Sequence, residues 1–163
     1  MTLFAIDGPA GAGKTTFAAQ LEAQLSVNAT VKVIHMDDLY NGWENALNNA
    51  LSEVLDRITT AHLAGREFVI QKFNWNSMQF DTQESIAPTE YLIIEGVGAA
   101  QQIVRDAGAT TYWLDIDPDV GLQRVLDRDG AHIEAQMRQW QVEQDKHFAR
   151  DETRENCEFK LTS

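Results

Sequence analysis

The chain has 163 residues, of which 44% are hydrophobic, 9% aromatic and 23% charged, and this composition excludes a disordered or low-complexity protein. Its 13 Lys and Arg against 25 Asp and Glu give a net charge of −12, which disfavours a nucleic-acid partner. One cysteine, no signal-peptide pattern and no long uncharged apolar run predict a cytoplasmic protein without a membrane segment. We expect one domain over residues 1–163, with the oligomeric state open.

Short apolar runs alternate with stretches of helical periodicity, which is the pattern of an α/β fold. Residues 3–6 predict the first strand, and a helix is expected from about Gly13. Residues 31–36 predict the second strand. The apolar spacing over 47–58 then predicts a second helix, which Gly65 is expected to end.

A third strand is predicted over residues 68–73 and a fourth, buried strand over 91–94. The polar segment between them, residues 74–88, is expected to be a loop.

The last third of the chain begins with a strand over residues 111–116. Asp117 is expected to cap a helix that ends at Gly130. A further helix is predicted over 131–149, and residues 157–161 are expected to add an edge strand.

Residues 8–15, GPAGAGKT, match the phosphate-binding pattern G-x-x-x-x-G-K-[ST] between a predicted strand and a predicted helix. The glycines let the backbone wrap closely around a phosphate, and the N–H groups at the helix start attract the anion. Lys14 is expected to reach the terminal phosphates and the Thr15 hydroxyl to ligate Mg²⁺. The motif predicts ATP and Mg²⁺ as cofactors, with the nucleotide bound by Gly8, Ala10, Gly11, Ala12, Gly13, Lys14, Thr15 and Thr16.

A phosphate-binding loop occurs in kinases, GTPase switches and motors alike. The sequence contains no N-K-x-D segment of the kind that reads guanine, and 163 residues leave little chain for a motor. These observations favour a compact phosphotransferase.

Carboxylates follow two of the predicted strands. Asp37 and Asp38 come after the second strand, and Glu95 follows the fourth. Ligands of open α/β sheets collect beyond the carboxyl ends of the strands, so these side chains are expected to face a phosphate acceptor. One carboxylate can take the proton of an acceptor hydroxyl while another holds Mg²⁺.

Aromatic side chains are the main sequence clue to the acceptor. Trp43, Phe73 and Trp75 lie in loops or at a strand end on the predicted ligand side, where a flat ring could stack. The four histidines show no metal-ligand spacing, so no zinc site is predicted, and His147 is interpreted as a surface residue.

Four segments, GPAGAGKTT, MDDLY, LIIEGVG and QRVLDRDG, are similar in sequence and order to the uridine kinase family of P-loop kinases. The resemblance covers nearly the whole chain. It implies a three-layer P-loop NTPase fold, with a central parallel sheet, helices on both faces and a short helical lid at about 124–150. It also implies that Asp37 is the catalytic base with Tyr40 beside it, and that Glu95 coordinates Mg²⁺ together with Thr15 and Asp37.

The lid element of the family falls on Arg128, with Arg124 one helical turn earlier, so the resemblance implies that both face the transferring phosphate. Gln139 and Trp140 match a Gln-aromatic pair near the acceptor. Two family features are not found: the lid lacks an additional Arg-Gly-Arg stretch, and residues 40–47 offer no counterpart of the hairpin that grips the nucleoside.

We therefore expect transfer of the γ-phosphoryl group of ATP to a hydroxyl of a small molecule, with a nucleoside as the leading acceptor. The alternatives are a kinase of a nucleoside monophosphate, sugar acid or vitamin precursor, and a non-catalytic ATP-binding sensor. The expected catalytic residues are Lys14, Asp37, Arg124 and Arg128, and the expected acceptor contacts are Asp38, Tyr40, Trp43, Phe73, Trp75, Gln139 and Trp140.

Overall fold

Seven strands occur within residues 1–162, the part of the chain that this computed structural model describes. Five form a parallel sheet and two form an antiparallel hairpin. The strands are β1 (Thr2–Asp7), β2 (Val31–His35), β3 (Phe68–Asn74), β4 (Gln79–Ile86), β5 (Tyr91–Glu95), β6 (Thr110–Asp115) and β7 (Phe159–Thr162). The order in the parallel sheet is β2-β5-β1-β6-β7.

The helices cover both faces of the parallel sheet, as the fold prediction requires. They are α1 (Lys14–Leu25), α2 (Asn49–Leu63), α3 (Gln102–Asp106), α4 (Pro118–Asp129), α5 (Glu134–Asp151) and α6 (Thr153–Asn156). Helix α1 packs on one face, and the apolar sides of α2, α3 and α5 pack on the other. No helix within residues 1–162 is long and apolar enough to cross a membrane.

Alternation along the central strands explains how one sheet supports two apolar layers. In β5, Leu92 and Ile94 point to the layer of α2 and α5, whereas Ile93 points to the layer of α1. Successive strand residues face opposite sides, so a strand covered on both faces is apolar throughout. The run YLII is therefore a buried central strand.

The prediction of a loop over residues 74–88 is wrong. Strand β4 pairs antiparallel with β3, and neither strand belongs to the parallel sheet. Strand β4 is exposed and largely polar, so it lacks the apolar alternation by which a strand is recognised. Local hydrogen bonds stabilise the turn between β3 and β4: Asn74 Oδ1 accepts from the amides of Asn76 and Ser77 at 2.8 and 3.2 Å.

Other predicted boundaries are confirmed within a few residues. Asn48 caps α2 by accepting from the Leu51 amide at 3.0 Å, and Gly65 follows this helix with a φ of 65°. Asp117 caps α4, and Gly130 ends it with a φ of 104°. The predicted edge strand is β7, which pairs with β6.

The interpretation of His147 as a surface residue is wrong. It lies on the inward face of α5 with 7% of its surface exposed, and its Nε2 atom has no hydrogen-bond partner within residues 1–162. Burial lowers its pKa. A histidine near the end of a strongly charged helix gives no sequence signal of this burial.

Candidate active site

A cavity of about 680 Å³ opens at the carboxyl ends of three neighbouring strands of the parallel sheet. Its lining comes from the segments that follow β1, β2 and β5, and from helices α4 and α5. This is the position at which an open α/β sheet binds its ligands. One end of the cavity is charged and the other is aromatic, and we call them the phosphate end and the acceptor end.

The phosphate-binding loop, residues 8–15, packs so closely on its neighbours that two glycines are required. A Cβ on Gly8 would lie 2.3 Å from the Leu114 carbonyl oxygen, and one on Gly11 would lie 2.3 Å from the carbonyl oxygen of Gly121 in α4. Both glycines also have positive φ angles, 141° and 85°. The loop is therefore held between β6 and α4.

Lys14 is buried at the start of α1 and lines the cavity. Its Nζ atom donates to the carbonyl oxygen of Pro9 at 2.7 Å. Burial lowers the pKa of Lys14, and the negative charges of Asp7, Glu95 and Asp37 oppose this shift. The ammonium group thus lies in a field of carboxylates at the phosphate end.

Asp7 is a functional candidate that the sequence reasoning missed. It is fully buried, and its carboxylate accepts from the amides of Gly8, Gly98 and Ala100 at 2.7, 3.1 and 2.8 Å. Burial raises its pKa to about 6, although these hydrogen bonds lower it. Asp7 therefore ties the phosphate-binding loop to the loop after β5. Its position as a polar residue at the end of an apolar strand was the available signal.

Glu95 lies at the end of β5 and is 5% exposed. One of its oxygens, Oε1, accepts from the Thr15 hydroxyl at 3.1 Å and lies 2.5 Å from His35 Nδ1. The hydrogen bond to Glu95 raises the pKa of His35. Thr15 and Glu95 are thus brought together as the sequence predicted, whereas the contact of His35 was not foreseen.

The residues at the phosphate end fit a magnesium ion. Thr15, Glu95 and Asp37 offer a hydroxyl and two carboxylates, which are the hard oxygen ligands that Mg²⁺ prefers. Residues 1–162 hold no group of three or more His, Cys, Asp or Glu side chains that could bind a metal ion. Mg²⁺ in nucleotide sites is usually held by one or two carboxylates, water and substrate phosphates.

Asp37 lies in a short 3₁₀ turn after β2, at the junction of the two ends of the cavity. Its side chain is exposed to the solvent of the cavity. Desolvation by the cavity walls and the charge of Glu95 raise its pKa, while Lys14 and Arg128 lower it. A carboxylate with a raised pKa is a better proton acceptor near neutral pH.

Asp38, unlike Asp37, does not line the cavity. It is half-buried outside the cavity lining, with its carboxylate 3.7 Å from the Lys72 ammonium on β3. The structure therefore places Asp37 in the cavity, whereas Asp38, which the sequence predicted as an acceptor contact, lies outside the lining.

Both predicted arginines line the cavity from α4, one helical turn apart. Arg124 Nη1 donates to the Gly11 carbonyl oxygen at 3.3 Å. Arg128 forms two hydrogen bonds with Asp129, at 2.9 and 2.7 Å, and this contact raises its pKa. Two guanidinium groups of α4 thus border the cavity beside the phosphate-binding loop.

The acceptor end is a wall of aromatic rings from separate segments. Tyr40 contacts Trp140 of α5 with ring centroids 4.9 Å apart, and Trp43 contacts both Trp140 and Trp75, at 6.2 and 5.2 Å. The Tyr40 hydroxyl donates to the Val97 carbonyl oxygen at 2.5 Å, and burial raises the pKa of Tyr40. The wall is therefore apolar and held in place.

The β3–β4 hairpin carries one ring of this wall. Trp75 lies in the hairpin turn, and its Nε1 donates to the backbone carbonyl of Asp37 at 3.0 Å. The turn of a hairpin thus borders the cavity.

Some predicted residues do not reach the cavity. Phe73 is buried behind Trp75, with the ring centroids 4.9 Å apart, and Gln139 is exposed and bonded to Glu143 at 3.1 Å. Within the described part of the chain, the predicted residues outside the cavity lining are Gly8, Ala12, Asp38, Phe73 and Gln139.

Gln144 is a second residue that sequence reasoning missed. It is 3% exposed on the inward face of α5, and its Oε1 accepts from the Ala10 amide of the phosphate-binding loop at 3.1 Å. The signal was a polar residue in helical register with Met137 and Trp140. Helix α5 is thereby fastened to the phosphate-binding loop.

No family model matches the chain, and no curated protein matches its sequence. Solved structures match over nearly its whole length. A possible uridine kinase from Bacillus stearothermophilus is 19% identical with a TM-score of 0.68, and the match covers 98% of this chain and 88% of that chain. A shikimate kinase from Bacteroides thetaiotaomicron is 16% identical with a TM-score of 0.56, covering 99% and 85% of the two chains.

An uncharacterized protein from Eubacterium ventriosum also matches, with 13% identity, a TM-score of 0.57 and coverage of 99% of this chain and 88% of that chain. At these identities the likeness concerns the fold. It confirms the predicted class, a parallel sheet between helical layers as in P-loop kinases, and the predicted resemblance to uridine kinase-like structures.

Proposed function

We propose that this protein is a P-loop kinase that transfers the γ-phosphoryl group of ATP to a hydroxyl of a small, uncharged acceptor. One observation carries the proposal: Lys14, Asp37 and Glu95 line the same cavity as an aromatic wall. Phosphate-binding groups, a candidate base and an apolar surface for an acceptor thus adjoin one another.

The phosphate end is proposed to bind the nucleotide through the backbone amides of residues 11–16. The Ala10 amide is already engaged by Gln144, so it contributes to the shape of the loop instead. Lys14 exchanges its bond with the Pro9 carbonyl for phosphate oxygens, which keeps its charge compensated. Bound Mg²⁺ would neutralise phosphate charge, and Thr15, Glu95 and Asp37 are the residues that would hold it.

Asp37 is proposed to take the proton from the acceptor hydroxyl as its oxygen attacks the phosphorus. It is a carboxylate at the point where the two ends of the cavity meet, so it can reach an acceptor hydroxyl beside the phosphates. Arg124 and Arg128 are proposed to stabilise the negative charge of the transferring group from the other side. The chain supplies positioning and electrostatics, which is what phosphoryl transfer demands.

The acceptor end supports an uncharged acceptor with a flat ring, such as a nucleoside. The cationic side chains of the lining, Lys14, Arg124 and Arg128, all belong to the phosphate end. A phosphate or carboxylate on the acceptor would therefore meet indole and phenol rings without a cation to pair with. This weighs against a nucleoside monophosphate or a sugar acid, and leaves a vitamin precursor as the second candidate.

A sensor that only binds ATP is supported less well. Binding needs no carboxylate beside an acceptor surface, yet Asp37 is held there, next to Trp75. The similarity to solved kinase structures also supports a transferase over a sensor.

The test is ADP release from purified protein with ATP and Mg²⁺, screened against nucleosides, nucleoside monophosphates, sugar acids and vitamin precursors. We expect an uncharged ring-bearing alcohol to stimulate release, and Lys14→Ala to abolish the stimulation. Tight ATP binding without stimulation by any acceptor would refute the kinase and favour the sensor. Asp127→Asn, which removes an exposed carboxylate of α4 outside the cavity, is the matched control for carboxylate variants.

A further inference from the structure

His35 is the last residue of β2, and its imidazole contacts the carboxylate of Glu95 on the neighbouring strand. The two residues are opposite one another in the parallel register of β2 and β5. Nδ1 lies 2.5 Å from Glu95 Oε1. Because an ionised carboxylate only accepts, Nδ1 carries the hydrogen and donates it.

Glu95 Oε1 therefore receives two donors from different elements, His35 from β2 and Thr15 from the start of α1. A carboxylate held by one hydrogen bond can rotate about its last bond, whereas two donors on one oxygen fix its plane. Both donors meet Oε1 and not the second oxygen, Oε2. The arrangement thus leaves one oxygen of a fixed carboxylate for a ligand.

The Thr15 hydroxyl is oriented by the same contact. Its hydrogen points to Glu95 Oε1 at an oxygen-to-oxygen distance of 3.1 Å, so its lone pairs stay free. A hydroxyl in this state can ligate a cation directly. Glu95 Oε2 and the Thr15 hydroxyl oxygen are then the two oxygens left open on this contact.

Glu95 and Asp37 line the same cavity, where two negative charges repel each other. A second donor on Glu95 opposes a rotation of its carboxylate under that repulsion. His35 is the more exposed partner of the contact, with 45% of its side chain exposed against 7% for Glu95.

We propose that His35 is a positioning residue, which fixes the Glu95 carboxylate so that its open oxygen serves the Mg²⁺ of a bound nucleotide. The proposal rests on the proposed function for the presence of that metal. No sequence motif marks His35, and its role follows from the contact with Glu95. Outer-sphere residues of this type orient the carboxylates that face a metal.

Two substitutions separate the hydrogen bond from the bulk of the ring. His35→Asn keeps an N–H donor at the branch position of Nδ1, and His35→Leu keeps a similar volume without a donor. The measurement is calorimetric binding of a non-hydrolysable ATP analogue, first in EDTA and then at increasing MgCl₂. Thermal unfolding of both variants shows that they are folded.

In His35→Leu we expect the MgCl₂ concentration for half-maximal enhancement of analogue binding to rise about 10-fold to 100-fold. His35→Asn should remain within about threefold of the unsubstituted protein on the same scale. In EDTA all three proteins should bind the analogue equally. Equal loss of affinity with and without Mg²⁺, or equal shifts in both variants, would assign His35 a structural role and overturn the proposal.

An unchanged MgCl₂ dependence in His35→Leu, or analogue binding that ignores Mg²⁺ in the unsubstituted protein, would overturn it as well. The acceptor screen tests the proposed function separately. Mg²⁺-dependent binding that responds to His35→Leu, together with no stimulation by any acceptor, would refute the kinase and leave the role of His35 intact.

Discussion

The two ends of the cavity are built in different ways. The phosphate end consists of backbone amides, Lys14 and carboxylates that stand directly after strands of the parallel sheet. The acceptor end consists of rings from a loop, a hairpin turn and a helix, which contact each other edge to face. The phosphate end is determined by the spacing of residues along the chain, whereas the acceptor end is determined by packing between distant segments. Substitutions should therefore affect catalysis at one end and acceptor affinity at the other.

The largest effect is expected from Lys14→Ala. Loss of the ammonium group removes the charge that stabilises the transferring phosphate, and turnover should fall by roughly 10³-fold or more. Steady-state ADP release measures this, with circular dichroism to check the fold. The control for loss of a lysine is Lys146, an exposed residue of α5 outside the cavity lining, and Lys146→Ala should keep full turnover. If Lys14→Ala kept more than about one tenth of the turnover of the unsubstituted protein, the assignment of catalysis to the phosphate end would be wrong.

Asp37→Asn should follow, with a fall in kcat of about 10²-fold to 10³-fold. The amide cannot accept the acceptor proton, but it has nearly the same shape, so the KM of the acceptor should change little. Single-turnover phosphoryl transfer measures the step itself. Asp127→Asn should be indistinguishable from the unsubstituted protein. A changed KM with an unchanged kcat would move Asp37 from the reaction to acceptor binding.

A third test uses the pH dependence of stability. Burial raises the Asp7 pKa from 3.8 to about 6, so the folded protein resists ionising this group. Between these two values the unfolded chain is ionised first, and the stability that Asp7 contributes is lost as pH rises towards 6; above 6 the loss is constant. Asp7→Asn does not ionise, so the unsubstituted protein should lose about 3 kcal/mol relative to it between about pH 4 and pH 7.

Urea unfolding of both proteins across that pH range measures the difference. Parallel curves for the unsubstituted protein and Asp7→Asn would show that Asp7 ionises normally. Asp7 would then be less strongly desolvated than its burial indicates.

The smallest effect is expected at the acceptor end. Trp43→Ala removes one ring from the wall, and the KM of the acceptor should rise about tenfold with kcat changed less than about threefold. Phe80→Ala is the matched control, because Phe80 is an exposed ring of β4 that contacts Phe73 outside the cavity lining. A fall in kcat with an unchanged KM in Trp43→Ala would contradict the assignment of acceptor affinity to the acceptor end.

The sequence predicted the phosphate end well because its signals are local. A glycine pattern between a strand and a helix places Lys14 and Thr15, and a parallel sheet brings the residues after its strands to one edge. Asp37 and Glu95 were found in this way. Which of Asp37 and Asp38 enters the cavity depends on a 3₁₀ turn and on Lys72, and neither leaves a periodic signal.

The acceptor end was predicted only in part. Trp43, Trp75 and Trp140 reach the cavity, but Phe73 supports the wall from behind and Gln139 points to solvent. The hairpin was missed because a solvated outer strand shows no apolar alternation. Contacts between residues far apart in sequence, such as Gln144 with Ala10, depend on how α5 crosses the sheet edge and are invisible to local patterns.

The hairpin has a consequence for how such a protein changes in evolution. It forms no backbone pairing with the parallel sheet, it presents a solvated outer strand, and it delivers Trp75 to the acceptor end. Under the proposed function, exchange of its turn would alter the acceptor surface without disturbing α1, which begins at Lys14, or β5, which ends at Glu95. A lineage could then acquire a new acceptor through a short stretch of chain while the residues that bind phosphate are inherited unchanged.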